Sequence, residues 1–507
     1  MEGYRKAMMA IATTTSSTPN DNNPCRACHP EKCAVRTVSQ FPLGFDEASP
    51  RVLHSVTYTT LSSIPQDRII PPDVEAYQAR YTTNQYGPIA IYNPSIVPLP
   101  PLTRDTLDLQ NQPHDRIPSY LISFRTTMAA ACWVVPFQWQ QNHSDYVGLA
   151  VLDQHLRLMD GLEAVIDLNQ QLGGTRYFED YRLFDVNGTL HLAQAKQILP
   201  IHVLGTRTPP PPTTNLSNND APKRTRVFSN LYGKGLVVSS PFTAPARHYN
   251  RVDGKNFNYF RSLSGQYWLE AWPIPHAVIP VDHISQNEKL MISQTLIQPN
   301  SSGPLADWSD EDLLVGRKLH SPDRGSACCV RLEPQYYQDL VRDDDSIYNV
   351  RLIRQQPFLY VGISHTKSVN KLPKINTRIF LSRMYAFVPV EPFPLVARSA
   401  SFCFGNSDAD TTPPPYYNLT HRKSLTVNDR VYDCPTIHFV SGMTEHVQDP
   451  SSVIVAYGIE DCVARTVQLH KRDLALHLFT PLDTENATIH HGNILMKHNK
   501  KSKSSQG

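Results

Sequence analysis

The proline residues limit the secondary structure that is open to this chain. Its 507 residues include 42 prolines and only 22 glycines, and the proline share is well above the ~5% of average proteins. Proline inside a helix removes a hydrogen bond and clashes with the preceding turn, which excludes a mostly helical fold. Hydrophobic residues make up 40% of the sequence. That fraction is enough for a packed core and excludes disorder of the whole chain.

Short apolar runs recur along the sequence, separated by Pro, Asn, Asp and Gly. The clearest runs span residues 120–125, 189–196, 235–239, 357–365, 377–389, 436–443 and 452–459. Apolar runs of this length between turn-forming residues predict β-strands. Two polar stretches interrupt the series, a Pro-rich loop over 206–226 and an insertion over 298–328 with an acidic helix predicted at 308–314. The pattern indicates an all-β sandwich, barrel or propeller.

The two ends of the chain differ in composition from the middle. Residues 1–50 predict a disordered leader and residues 486–507 a basic flexible tail, with one folded β domain over 51–485. No apolar run approaches the ~20 residues of a membrane-spanning helix, so no span is predicted. Lys and Arg number 48 against 46 Asp and Glu. A charge balance so close to neutral gives no reason to expect nucleic acid as a partner.

The cysteines bear on the cellular compartment. Nine cysteines, an odd number, fit a reducing compartment better than a disulfide framework. We therefore expect the protein in the cytoplasm. A weakly apolar N-terminal segment and six Asn-x-Ser/Thr sequons leave the secretory pathway open as an alternative. Cys25, Cys28 and Cys33, with His29, have the spacing of a haem or zinc motif. The sequence has no second Cys-x-x-Cys pair to complete a zinc site. We therefore interpret these cysteines as a chance cluster and expect no metal and no cofactor.

A charged segment before a predicted hairpin is the most informative part of the sequence. Glu179, Asp180 and Arg182 stand within four positions, among aromatic residues. The sequence 185–188, Asp-Val-Asn-Gly, then predicts a tight turn. Charges are costly in a half-buried strand unless they are paired or used. A surface salt bridge beside a hairpin is one interpretation, and a functional site is the other.

Further polar residues stand at the ends of apolar runs. They are Asn93, Arg125, Lys255, Asn256, His276, His365 and Asp461. One such residue more often caps or packs a strand than carries chemistry. Several cationic and polar residues at strand ends, spread through the chain, are typical of a propeller that builds a pocket on its axis.

These motifs, in this order, resemble a known enzyme family. Asn-Pro-Ser at 93–95, the run ending in Arg125, Glu-Asp-x-Arg at 179–182 and Lys-Asn at 255–256 are similar to motifs of the β-mannoside phosphorylases of glycoside hydrolase family 130. The related eukaryotic β-1,2-mannosyltransferases are similar as well. The resemblance covers short islands between Asn93 and Leu478, and it implies a five-bladed β-propeller as the catalytic domain.

The resemblance also implies roles for individual residues. Asp180 matches the carboxylate that transfers the proton, and Arg182 matches a residue that binds sugar or phosphate. The remaining residues implied to contact substrate or phosphate are Asn93, Arg125, Lys255, Asn256, His365 and Asp461. One position departs from the family, because Tyr181 replaces the proline of the Glu-Asp-Pro-Arg motif.

The implied reaction is the inverting transfer of a mannosyl-type sugar. One carboxyl serves as acid or base, and phosphate or a nucleoside diphosphate in a cationic cradle replaces a second carboxylate. The partners are thus a sugar substrate with phosphate or a nucleoside diphosphate, and oligomerisation stays open. Two alternatives remain. A furanosidase-like hydrolase would need a second carboxylate, for which Asp253 and Asp461 are candidates. A non-catalytic propeller would bind glycans or proteins, with Glu179 and Asp180 paired to Arg182.

Overall fold

The structure is a computed structural model of the chain. It describes residues 51–53, 61–63, 90–108, 116–127, 145–166, 181–194, 197–205, 225–228, 235–241, 256–273, 276–282, 291–292, 323–341, 347–372, 375–399, 401–404, 425–427, 430–432, 434–435, 437–459 and 463–479. The predicted leader, the helix at 308–314 and the basic tail lie outside these residues, as do Cys25, Cys28 and Cys33.

The described elements are mostly strands. The strands are β1 (Arg51–Leu53), β2 (Leu61–Ser63), β3 (Ala90–Pro98), β4 (Pro118–Thr127), β5 (Asp145–Asp153), β6 (Leu158–Ile166), β7 (Arg182–Val186), β8 (Thr189–Gln194), β9 (Gln197–Gly205), β10 (Thr225–Phe228), β11 (Val237–Pro241), β12 (Asn258–Arg261), β13 (Tyr267–Trp272), β14 (Ala277–Asp282), β15 (Met291–Ile292), β16 (Asp323–Leu332), β17 (Leu359–Leu372), β18 (Ile375–Phe387), β19 (Leu395–Arg398), β20 (Phe402–Phe404), β21 (Leu425–Val427), β22 (Arg430–Tyr432), β23 (His438–Glu445), β24 (Ser452–Ile459) and β25 (Val463–His470). The helices are α1 (Pro101–Asp108), α2 (Pro334–Tyr337), α3 (Ile347–Arg354) and α4 (Lys471–Phe479).

The strands form sheets in chain order. Sheet 1 is β3-β4-β5-β6, sheet 2 is β7-β8-β9-β11-β10 and sheet 3 is β12-β13-β14-β15. Sheet 4 is β16-β17-β18-β20-β1 with β19 beside β18, and sheet 5 is β23-β24-β25-β2. A separate hairpin pairs β21 with β22. Pairing within the sheets is antiparallel except between β1 and β20.

The first strand of each sheet lies on the inside of the arrangement. Strand β3 contacts β7 on one side and β23 on the other, and β16 contacts both β23 and β12. Sheets 2 and 3 meet where the rings of Phe184 and Tyr259 stack, with centroids 3.9 Å apart. The described fold is therefore mostly β, with its sheets in a propeller-like order around a common centre.

Apolar clusters fill the spaces between neighbouring sheets. One cluster joins sheets 1 and 2, and a second joins sheet 1 to sheet 5. A third joins sheets 4 and 5 beneath α4, and an aromatic cluster joins sheets 3 and 4. Strands buried on both faces explain why runs such as 452–459 are apolar without alternation, since every residue of β24 is buried.

Segments distant in sequence close the two last sheets. The N-terminal strand β2 adds to β25 of sheet 5, and β1 pairs with β20 of sheet 4. Cys403 of β20 and Cys434 before β23 form a buried disulfide with Cα atoms 5.8 Å apart. The cysteine spacing did not indicate this pair, because its partners are brought together only by the packing of sheets 4 and 5.

Each predicted apolar run contributes to a strand where the structure describes it, although β11 and β17 begin two residues later than the predicted runs and β18 ends two residues earlier. Residues 452–459 form β24, and the predicted turn leaves Asn187 and Gly188 between β7 and β8 at φ of 51° and 81°. Asn and Gly tolerate this left-handed backbone, as the turn requires. The expected insertion over 298–328 is wrong at its end, because β16 begins at Asp323 and buries Ala327. No helix among the described residues is long and apolar enough to cross a bilayer.

Candidate functional site

A bulge in β3 places Asn93 at the centre of the sheets. Tyr92 pairs with Arg125 and Ser95 with Ser123 on β4, so Asn93 and Pro94 together oppose a single residue. Asn93 has φ of 50°, which asparagine adopts more readily than most residues. Its side chain is buried against β24, where a Cβ added at Gly458 would lie 2.7 Å from its Oδ1.

Arg182 begins β7 and reaches two other sheets. Its Nη1 donates to the carbonyl oxygen of Ser441 on β23, and its Nη2 donates to Oδ1 of Asn256 at 3.2 Å. Its guanidinium carbon also lies 5.3 Å from the ring centroid of Phe439. The side chain is 5% exposed. A buried guanidinium needs such acceptors, because an uncompensated charge in the interior is strongly unfavourable.

Asn256 enters the centre just before β12. Its φ of 68° lies in the left-handed region, and its side chain is buried. Strand β16 approaches it at Gly325, where an added Cβ would lie 2.5 Å from the Asn256 carbonyl oxygen. Only glycine permits this approach, which sets the amide of Asn256 opposite Arg182.

Ser441 links Arg182 to the bulge at Asn93. While its carbonyl accepts from Arg182, its hydroxyl donates to the carbonyl oxygen of Pro94 at 2.7 Å. Sequence reasoning missed this residue. Serine in an apolar run carries no signal of its own, and the contact depends on β3 and β23 being neighbours.

His365 also contacts Phe439. This buried histidine of β17 packs edge-on against the Phe439 ring, with centroids 4.9 Å apart. Phe439 of β23 also contacts Arg182 of β7, so it lies in contact with residues of two other strands, β7 and β17. Arg125 stands at the other end, half-buried, with its guanidinium carbon 5.4 Å from the ring centroid of Tyr92, the neighbour of Asn93.

Five of the eight predicted site residues thus belong to one connected centre, which we call the axial centre. It comprises Asn93, Arg125, Arg182, Asn256 and His365, joined through Tyr92, Pro94, Phe439 and Ser441. The other three predicted residues, Asp180, Lys255 and Asp461, lie outside the described residues. Their roles stay predictions. In the sequence, Asp180 stands two residues before Arg182 and Lys255 immediately before Asn256.

The backbone around Arg182 is held on both sides. The hydroxyl of Ser123 donates to the Tyr181 carbonyl at 3.4 Å, and the Leu183 amide donates to Ser95 Oγ at 3.0 Å. Tyr181 itself is 1% exposed and belongs to the apolar cluster between sheets 1 and 2. The tyrosine at the position of the resembled motif's proline is therefore a buried anchor.

The axial centre is cationic in its described part. Arg125 and Arg182 supply two positive charges near amide, hydroxyl and aromatic groups, a set suited to an anionic, hydroxyl-bearing molecule. Among the residues that the structure describes, no three His, Cys, Asp or Glu side chains come together as metal ligands would.

Comparisons with known proteins return carbohydrate-active enzymes. No family profile matches the chain, and no curated protein matches it. A structural match to a mannose phosphorylase from Leishmania mexicana covers 82% of this chain and 98% of that chain, with 9% identity and a TM-score of 0.30. A GDP-Man-dependent mannosyltransferase from the same organism matches over 79% and 94%, with 10% identity and a TM-score of 0.33.

A third match is a β-1,2-mannobiose phosphorylase from Listeria innocua. It covers 83% of this chain and 99% of that chain, with 9% identity and a TM-score of 0.33. The matched structures also include a member of glycoside hydrolase family 130, the family that the sequence motifs resemble. At these identities and TM-scores the likeness carries no argument about the activity of this chain, which has to be argued from its own residues.

Proposed function

We propose that this chain is a carbohydrate-active enzyme that transfers a mannosyl-type sugar with inversion of configuration. The acceptor or leaving group is phosphate or a nucleoside diphosphate. The observation that carries the proposal is the axial centre, where Asn93, Arg182, Asn256 and His365 meet although the sequence separates them widely. The convergence of residues chosen from scattered motifs supports one shared site for those motifs.

The proposal assigns the fold to a five-bladed propeller with a pocket on its axis. Its support is the order of sheets 1 to 5 along the chain, the inner position of each first strand and the apolar clusters between neighbours. The open end of such an axis is where propellers bind small ligands.

In the proposed reaction, Asp180 transfers the proton and the arginines bind the anion. Arg182 offers a planar fork that matches phosphate oxygens, and Arg125 is the more exposed of the two cations in the axial centre. Asn93 and Asn256 hold amide groups suited to sugar hydroxyls. His365, which packs against Phe439, is assigned to the phosphate or nucleotide.

A non-catalytic propeller is the second candidate function, and the contacts of Arg182 favour it. Arg182 already binds protein acceptors from two other sheets, as a purely structural cross-link would. Under this alternative Arg182 ties the inner strands together, and the centre binds a glycan without reaction. Activity decides between the two.

The test is a donor screen on the purified chain. The protein is incubated with mannose 1-phosphate or GDP-mannose, together with mannose or short β-mannosides, and release of phosphate or GDP is followed. Release of phosphate indicates a phosphorylase, and release of GDP indicates a transferase. Asp180→Asn is expected to abolish either activity. The matched control is Asp185→Asn, an exposed carboxylate at the end of β7, which should retain it. Absence of turnover with both donors in folded protein would overturn the proposal in favour of the binding propeller.

A further inference from the structure

Glu270 lies at the hub of a polar cluster outside the axial centre. This residue of β13 is 1% exposed. Its Oε2 accepts a hydrogen bond from Asn258 Nδ2 at 2.8 Å, and the Tyr385 hydroxyl lies 2.6 and 2.7 Å from its two oxygens. His276 Nε2 lies 3.1 Å from Oε1. Three polar side chains from different elements thus converge on one buried carboxyl group.

The hydrogen bonds define the protons of this cluster. His276 Nδ1 lies 2.8 Å from the Phe393 carbonyl oxygen, which can only accept, so Nδ1 carries a proton. The other ring nitrogen, Nε2, therefore faces the Glu270 carboxyl group. Burial, and then the neighbouring Glu270, raise the pKa of Tyr385 well above its ordinary value, so its hydroxyl remains a donor.

The cluster connects two sheets through an aromatic interface. Asn258, Glu270 and His276 belong to the sheet 3 segment, whereas Tyr385 and Phe393 belong to sheet 4 and the turn that follows β18. The surrounding side chains are buried and aromatic: Phe260, Trp268, Phe387 and Phe393. Polar groups in such surroundings are costly when unpaired and rigid when fully paired, so the cluster fixes the geometry of this interface.

The innermost member of the cluster reaches the axial centre. Asn258 stands two residues after Asn256, and both lie beside Gly325 of β16. A Cβ added at Gly325 would lie 2.5 Å from the Asn256 carbonyl oxygen and 3.6 Å from Asn258 Nδ2. The same stretch of backbone therefore carries the side chain that Glu270 holds and the one that Arg182 binds.

From this arrangement we infer that Glu270, with His276 and Tyr385, is a positioning residue. Glu270 binds its cross-strand neighbour Asn258 and, through Tyr385, is fixed to sheet 4. It thereby sets the start of β12 and so the place of the Asn256 amide opposite Arg182. It touches no substrate. Its importance for binding rests on the proposed function, whereas the positioning itself does not.

A double-mutant cycle tests the positioning without any ligand. Glu270→Gln keeps the shape but presents an amide nitrogen to a donor, and Asn256→Gly removes the Arg182 contact while tolerating the φ of 68°. The two side chains act through one backbone segment. Asn256→Gly should therefore lower the free energy of unfolding, measured in urea, by less in the Glu270→Gln background than in the wild type. Tyr385→Phe, which removes a single donor, serves in place of Glu270→Gln where that variant does not fold. Additive costs would overturn the inference.

Binding provides the second readout. Mannose 1-phosphate affinity should fall at least tenfold in Glu270→Gln and less in Tyr385→Phe, with both proteins folded. The control is Glu333→Gln, which perturbs an ion pair with Lys471 away from the cluster and should leave affinity unchanged. Failure of the wild-type protein to bind this sugar phosphate counts against the proposed function alone, because the cycle still decides the positioning. Unchanged affinity in folded Glu270→Gln, with a binding wild type, counts against the inference.

Discussion

Arg182 and Asn256 meet across sheets 2 and 3. The Nη2 of the arginine donates to the amide oxygen of the asparagine at 3.2 Å, although 74 residues separate them in the chain. The same guanidinium reaches Ser441 of sheet 5. One side chain thus joins three sheets at the place where the sequence motifs predict substrate binding.

Replacement of Arg182 by lysine tests whether ligand binding needs the planar guanidinium group or only its positive charge. An ammonium group cannot reach both the Ser441 carbonyl and the Asn256 amide in the planar geometry of a guanidinium. Loss of one charge-assisted hydrogen bond to Ser441 or Asn256 should lower the free energy of unfolding by roughly 1.5–3 kcal/mol. Under the proposed function, loss of the planar guanidinium should also weaken mannose 1-phosphate binding. Isothermal titration calorimetry measures the change. Arg261→Lys, at an exposed position of β12, is the control. Equal affinity of folded Arg182→Lys and wild type would contradict a role in binding.

Tyr181→Ala should destabilise the protein and impair turnover together. The side chain is buried between sheets 1 and 2, and removal of a large buried ring costs about 3–5 kcal/mol. The loss also frees the backbone next to Asp180. Urea unfolding measures the first effect and the donor screen the second.

Tyr181→Phe is the matched control for the ring itself. It keeps the packing, so stability and activity should both stay near wild type. Substitution by proline, the residue at this position of the motif that the sequence resembles, removes the ring and should behave like alanine in stability. A stable Tyr181→Pro variant would show that the ring is not the anchor.

Gly442→Ala should separate two inner strands. An added Cβ would lie 2.7 Å from the Ile96 amide nitrogen and 2.8 Å from the Ser95 Cα, both rigid backbone atoms of β3. Overpacking of this kind costs about 1–3 kcal/mol. Gly161→Ala is the comparison, since its φ of 78° is strained for alanine but nothing lies within 4 Å of the new atom. Only Gly442→Ala should also weaken ligand binding, because Ser441 next to it bonds Arg182.

The stability of the protein should fall as the pH falls below about 6.5. Burial lowers the pKa of His438 from 6.5 to about 3, and its ring bonds Ser382 and the Phe404 amide. Between these pH values the unfolded chain binds a proton that the folded chain does not. The free energy of unfolding therefore falls by about 1.4 kcal/mol per pH unit from this group alone.

The measurement is urea unfolding at several pH values between 7 and about 4, a window set by the lowered pKa of His438. Burial also lowers the pKa of His191 to about 4, so this residue adds a slope of the same sign. His438→Asn should reduce the slope by about one proton, whatever its effect on absolute stability. An identical slope in His438→Asn and wild type would contradict the assignment.

Local features of the fold could be predicted from the sequence. Apolar runs between turn-forming residues fixed the strands, as at 452–459, and Asn187-Gly188 fixed a hairpin, because these signals depend on a few neighbouring residues. Five of the predicted site residues lie together in the axial centre, and their contact with substrate stays a prediction. Asp180, Lys255 and Asp461 lie outside the described residues, and their part in the site is still a prediction.

What joins those residues depends on contacts between sheets. The Ser441 bridge, the Glu270 cluster and the Cys403–Cys434 disulfide each link segments from different sheets. The local sequence around a serine, a glutamate or a cysteine in an apolar strand is the same whether or not that residue contacts a residue of another sheet. The sequence by itself determined where the strands and polar candidates lie. Only the tertiary structure decided which of them meet, because pairing depends on which sheets become neighbours.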